Sequence, residues 1–258
     1  MRRLIIRPGA IGDFIVSLPA LECLKTDYLE VWTAAALTPL VRFAATVRAI
    51  SSTGLDLLGI RENGELGPLI EQLRGFDEIV SWYGAAREEF RALVEDLGLP
   101  FRFLRALPPE GCDRHAAEFY LDQVRGIVTC ESTGIPRIAC EEPRGNFAVI
   151  HPFSGSPKKN WPLESFRRLS SQLERVMPVC WCAGPEDPPL ANAVRIDDLW
   201  ELARWLAQAR LYIGNDSGVT HLAAAVGTPV LALFGPSDPW VWAPRGAHVR
   251  VAWFDRGR

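Results

Sequence analysis

Three short stretches of this chain concentrate groups that bind anions or accept protons. In 7-RPGAIGDF-14, Gly9 and Gly12 let the backbone turn tightly and expose its amides, and Asp13 follows where a helix begins. A helix N-cap accounts for Asp13 as well as any chemistry does. In 151-HPFSGSPKKNWPLESF-166, Ser154, Gly155 and Ser156 offer hydroxyl and amide donors, Lys158 and Lys159 follow, and Pro162 suits a first helical position. Donors and cations beside a helix N-terminus make a phosphate site. Two solvated lysines are the plain alternative, and composition does not choose between them. In 212-YIGNDSGVTHLAAAVG-227, Asp216 or Ser217 can cap the next helix and Gly218 permits close approach of a ligand. His221 then falls in the first turns of that helix, whose positive end attracts anions. A capped helix with an incidental histidine is the plainer account.

The elements that must hold these loops alternate. Short apolar runs at 3–7, 29–34, 78–82, 147–152, 178–183, 211–215 and 229–235 read as strands. Apolar positions at helical spacing lie between several of them: Leu163, Phe166, Leu169 and Leu173, then Leu199, Leu202, Ala203 and Leu206. The pattern is that of βαβ units and parallel sheets, so each loop leaves the carboxyl end of a strand, where open α/β sheets bind ligands. Pro19 fits comfortably only in the first turn of a helix, which leaves the start of the helix after Asp13 open. The turn-rich 141-EEPRGN-146 precedes a fresh start of the pattern, so the expected domains are 1–145 and 146–258. The segments 106–111 and 184–190 read as loops.

Composition narrows the function. The 258 residues are 48% apolar and 23% charged, a folded globular mixture. The net charge of −3 is uneven, with 16 basic against 21 acidic residues in 1–145 and 12 against 10 in 146–258. No dense basic stripe appears, which argues against nucleic acid as partner. The cysteines, Cys23, Cys112, Cys130, Cys140, Cys180 and Cys182, show no zinc spacing and read as reduced structural thiols, with Cys180 and Cys182 on one strand face. Two glycines without the third of a dinucleotide fingerprint set NAD aside. The N-terminal apolar run is too short for a signal peptide and no 18-residue apolar run occurs, so a cytoplasmic location is expected. Trp240 and Trp242 follow the loop 235-GPSDP-239, while Trp200 and Trp205 sit in a helical pattern.

The stretch 215-NDSGVTHLAAAVGTPVLALFGPSDP-239, with 158-KKNWPLESF-166 and 9-GAIGDFIVSLPAL-21, resembles the heptosyltransferases of glycosyltransferase family 9. The resemblance implies an α/β GT-B fold, two Rossmann-like domains with parallel sheets facing across a cleft. It implies an inverting, metal-independent enzyme that moves heptose from ADP-heptose to a sugar of the lipopolysaccharide core, or a related glycan or glycolipid acceptor. No cofactor and no metal site are then expected, and the enzyme would work at the cytoplasmic face of the inner membrane. By position, Asp13 matches the family's general base and Lys159, not Lys158, the lysine on the donor phosphates. Asp216, Ser217, Gly218 and His221 match its sugar and diphosphate motif, beside Ser154, Gly155 and Ser156. Glu186 matches an acidic residue that meets the nucleotide ribose. Family members usually continue past the last strand into a closing helix, so domain closure is expected to differ in this chain. An anionic acceptor would need Arg2, Arg7, Arg42, Arg61 and Arg87 to converge. A protein that binds the nucleotide sugar without transferring it, or serves as a scaffold, is the alternative from another functional class.

Overall fold

The structure, a computed structural model, describes residues 1–59 and 66–254. The first half runs β1 (Arg2–Ile6), α1 (Ile11–Cys23), β2 (Tyr28–Thr33), β3 (Thr46–Ala49), α2 (Gly67–Arg74), β4 (Glu78–Ser81), α3 (Glu88–Asp96), β5 (Phe101–Phe103) and α4 (Ala116–Arg125). The second runs β6 (Ala148–His151), α5 (Leu163–Leu173), β7 (Val179–Trp181), α6 (Leu199–Gln208), β8 (Leu211–Asn215), α7 (Gly218–Ala225), β9 (Val230–Phe234), α8 (Pro239–Trp242) and β10 (Val249–Trp253). Two five-stranded sheets result, ordered β3-β2-β1-β4-β5 and β10-β9-β8-β6-β7. Every strand pairing in them is parallel.

This order decides where ligands can sit. In the first sheet the chain leaves β1 for β2 on one side and later returns to β4 on the other. In the second it leaves β6 for β7 and returns to β8 on the opposite side. At such a reversal the two neighbouring loops diverge and open a crevice at the strands' carboxyl ends. The loop after β1 lies at one reversal, and the loops after β6 and β8 flank the other.

Helices α1 and α7 join the halves. From Phe14 to Leu21 every residue of α1 is buried, because the helix packs against its own sheet, α4 and α7. This explains how Pro19 sits inside α1 rather than at its start. A proline in a helix interior costs about 3 kcal/mol, but each buried Phe, Ile, Val or Leu contributes about 1.5–3 kcal/mol, and α1 buries five such side chains besides the proline, Phe14, Ile15, Val16, Leu18 and Leu21. Packing therefore prevails over the local break. In α7, Ala223, Ala224 and Ala225 are small enough to bring the helix close to its neighbours.

Three strands escaped the sequence reading. β3, β5 and β10 are edge strands, and most of their residues are half-buried or exposed, so they lack the continuous apolar run that marks a central parallel strand. The cysteine expectation also needs correction. Cys23, at the end of α1, is disulfide-bonded to Cys130, 107 residues later, with Cα atoms 5.5 Å apart. Partners so distant in sequence leave no spacing signature. Cys112, Cys140, Cys180 and Cys182 are free thiols. Cys182 is buried in the core, and burial pushes its thiol up to about 12.

Candidate active site

The loop after β1 fixes Asp13 through the backbone. Gly9 takes φ +141°, a conformation open to glycine, and a Cβ there would sit 3.7 Å from the Arg7 guanidinium and 3.8 Å from Asp13 Cβ. Helix α1 then starts at Ile11 after Ala10, which provides no side-chain cap. Asp13 is thus a first-turn residue and not the N-cap, and its side chain lines the cleft while accepting a hydrogen bond from the Ala10 amide. Partial burial pushes that carboxyl above its ordinary range and nearby Asp216 pushes the same way, while the positive charges of Arg7 and Lys159 oppose both.

The loops after β6 and β8 are knit together by side chains. Ser154 Oγ donates to Ser156 O at 2.8 Å and lies 2.7 Å from Asn160 Oδ1, so Ser154 shapes its own loop. Gly155 and Ser156 line the cleft instead. A single turn, Pro157–Lys159, brings Lys159 Nζ to 2.6 Å from Asp216 Oδ2. Lys159 lines the cleft, whereas Lys158 is exposed and outside its lining. Asn215 joins the loops directly: its Nδ2 donates to Pro152 O at 2.8 Å and its Oδ1 accepts from Trp161 N at 2.9 Å. Sequence reasoning gave Asn215 no role, although its place beside Asp216 at a strand end was a usable signal.

The capping question for α7 resolves in favour of Ser217, whose Oγ accepts from Thr220 N at 3.3 Å. Asp216 is left for Lys159. Gly218 is required by a close approach, because a Cβ there would lie 2.7 Å from Ile11 Cβ and 3.2 Å from the Gly12 amide nitrogen. The N-termini of α1 and α7 therefore meet. His221 lies under the junction, only 5% exposed, and burial lowers its pKa to about 4. Burial therefore favours its neutral ring. Its use is as a hydrogen-bond partner.

These groups line one cleft of about 870 Å³, which holds Gly12 and Asp13 from the first half with Gly155, Ser156, Lys159, Glu186, Asp216, Ser217, Gly218 and His221 from the second. Glu186 is exposed at its rim. Its neighbour Asp187 is the anchored carboxylate, and sequence reasoning passed over it. The His151 ring lies 2.9 Å from Asp187 Oδ2, and the Gly184 amide donates to the same oxygen at 2.6 Å. Burial works against the charge on Asp187, but these two donors prevail and hold its pKa below the ordinary carboxylate value.

Trp242 lines the cleft, whereas Trp240 is 79% exposed and outside the lining. Trp205 stacks on Phe147, and Trp200 lies under the Arg42 guanidinium. Among the described residues, four of the five arginines have separate partners. Arg2 covers Tyr28 at the amino end of the first sheet, Arg7 is buried at the carboxyl end, Arg42 lies over Trp200 and Arg87 sits beside Tyr83, while Arg61 lies outside the described residues. Among the described residues no group of three or more His, Cys, Asp or Glu side chains could hold a metal ion, and no helix is long and apolar enough to cross a membrane.

Comparison with known proteins gives this geometry a context. The family model "Glycosyltransferase family 9 (heptosyltransferase)" matches residues 129–258. The chain is 29% identical over 124 residues to lipopolysaccharide heptosyltransferase 3 of Escherichia coli, across 42% of this chain and 36% of that protein. It is 26% identical over 287 residues to lipopolysaccharide heptosyltransferase 1 of Pseudomonas aeruginosa, across 93% and 80%. The chain spans only about a third of the length of several curated relatives that it matches, 36%, 37% and 29% in three cases. Among solved structures, the glycosyl transferase family 9 protein from Veillonella parvula DSM 2008 superposes with a TM-score of 0.75 at 21% identity, over 98% of this chain and 86% of that one. Escherichia coli heptosyltransferase WaaC with ADP gives 0.72 at 19%, over 98% and 93%. At these identities the likeness is one of fold, and it makes the two parallel sheets the GT-B architecture expected from the sequence.

Proposed function

The chain belongs to glycosyltransferase family 9, and on that premise we propose that it is an inverting, metal-independent transferase moving heptose from ADP-heptose to a lipopolysaccharide-core or related glycan acceptor. The observation that carries this reading is the shared cleft, with Asp13 from one half and Lys159, Asp216 and the start of α7 from the other. Inversion needs an attacking hydroxyl and a leaving diphosphate on opposite faces of the anomeric carbon. Asp13 takes the acceptor hydroxyl proton as that oxygen bonds to the carbon. The carbon–oxygen bond to the diphosphate breaks, and its electron pair leaves with ADP.

Each flanking group then has a task. Lys159 exchanges Asp216 for the diphosphate, and the amides at the start of α7 with the Ser156 hydroxyl meet its oxygens. Freed from Lys159, Asp216 accepts hydrogen bonds from sugar hydroxyls. Neutral His221 offers a ring hydrogen bond without a full charge. Partial burial suits Asp13 to its work, because a carboxylate pushed upward is a stronger base than one at its ordinary value. We place the reaction on the cytoplasmic side, with contact at the inner membrane surface, where a glycolipid acceptor would present its sugars.

The test is release of ADP from ADP-heptose in the presence of a heptose-free core acceptor and a chelator. Release well above the no-acceptor background is expected. Tight binding of ADP-heptose with no release on any acceptor would replace transfer by nucleotide-sugar binding alone.

A further inference from the structure

Arg7 is buried to 2% exposure at the end of β1, and among the described residues no carboxylate forms an ion pair with it. Its hydrogen bonds go to neutral groups. Nε donates to Ser17 Oγ at 3.1 Å, one terminal nitrogen to Pro8 O at 3.2 Å and the other to Asp13 O at 3.1 Å. The rings of Tyr120 and Trp82 flank it, with centroids 4.9 and 5.8 Å from the guanidinium carbon. A buried cation that lacks a paired carboxylate is expensive to keep. If its purpose were only to tie a loop to a helix, neutral groups would serve at less cost.

The geometry points to Arg7 as the positioning residue for the Asp13 base: its planar fork holds the loop and the first turns of α1 in one arrangement, and its unpaired charge faces the Asp13 carboxylate. Three features make the pair. The fork spans residues 8, 13 and 17, so both the approach to the helix and the helix itself are pinned to one rigid group. Only a glycine, Gly9, separates the guanidinium from the carboxylate, and a side chain there would touch both. The burial that raises Asp13 is offset first by Arg7 and then by Lys159. The groups facing Asp13 are Arg7 from the loop after β1, Lys159 from the turn after β6, Asp216 from the loop before α7 and Tyr120 from α4. Lys159 is engaged by the diphosphate during the reaction. Arg7 is then the one of the two cations that continues to act on Asp13 throughout.

This inference rests on Asp13 as the base, and its test separates the two. Arg7→Gln and Arg7→Lys are compared with the unaltered protein in kcat/KM against pH, with ADP affinity and thermal unfolding as checks on folding. In Arg7→Gln the acid limb is expected to move to higher pH by about one pH unit, as for loss of an opposite charge near a carboxylate, with ADP affinity retained. In Arg7→Lys the charge remains but the fork is lost, so the limb stays and the plateau falls roughly tenfold, as for a misplaced base. An unmoved limb in folded Arg7→Gln overturns the proposal. If that variant does not fold, Arg7→Lys decides, and an unaltered plateau overturns it. If no acceptor supports turnover, carbon-13 titration of the Asp13 carboxyl in the unaltered protein and in whichever variant folds gives the same comparison without activity. A higher midpoint in Arg7→Gln, or a displaced Asp13 resonance with an unmoved midpoint in Arg7→Lys, supports the inference, and an identical titration in the variant overturns it.

Discussion

The two walls of the cleft are built on different plans. The wall after β6 and β8 is a network of side chains: Lys159 on Asp216, Asn215 across both loops and Ser217 on the start of α7, with Asp187 from the loop after β7 held by His151. The wall after β1 presents one carboxylate, held by its backbone to a buried arginine. A surface that grips a diphosphate gains from fixed, satisfied partners. A base gains from the opposite, since each hydrogen bond to its charged form would make it weaker. Asp187 is held below the ordinary carboxylate value and Asp13 is pushed above it, so the partners around the two aspartates act in opposite directions.

The comparison can be broken, beginning with the largest effect. Asp13→Asn should lower turnover by roughly 10²–10⁴-fold, the range for a lost general base, while calorimetry finds ADP affinity little altered. Equal losses in both would mean that the walls do not divide their labour. Lys159→Ala should weaken ADP binding about 10–150-fold, the equivalent of a charge-assisted hydrogen bond of roughly 1.5–3 kcal/mol. Lys158→Ala is the control and should bind as before.

The seam between the walls comes next. Gly218→Ala drives a methyl group into Ile11 and should destabilise the fold by about 1–3 kcal/mol in denaturant titrations, with turnover falling alongside. A neutral result would show that the halves adjust at no cost. The smallest effect is also the most direct measure of the contrast. Asp187 has a depressed folded pKa, so its contribution is present above the unfolded value and is lost as pH falls through the folded one. Asp187→Asn should therefore lower stability at pH 7 by about 1 kcal/mol, one hydrogen bond's worth, and the deficit should vanish in acid. Asp13 has a raised folded pKa, so it favours folding below its unfolded value and loses that as pH rises. Asp13→Asn should melt no lower than the unaltered protein at pH 7. Melting curves that shift the same way in both variants would contradict the contrast.

The central strands were legible because burial on both faces demands continuous apolar runs, and the loops because glycine, serine and lysine stood at strand ends. What escaped depended on neighbours that a linear reading does not supply. Pro19 lies buried inside a helix that packs against α4 and α7. Asp187 is anchored by His151, 36 residues earlier in the chain. The neutrality of His221 follows from burial at the junction of two helix ends, which the local sequence of α7 does not reveal. Arg7 looked like one more basic residue for an anionic partner, yet it is enclosed by Tyr120, Trp82 and Ser17.

The bond between Cys23 and Cys130 turns the intervening chain into a covalent ring. Strand β1 and the loop bearing Asp13 lie outside that ring, on the amino-terminal arm, while β2 to β5 lie within it. A protease that cut once between residues 24 and 129 would open the ring without releasing a fragment. The arm that carries Asp13 would remain covalently leashed to the second half until the bond was reduced.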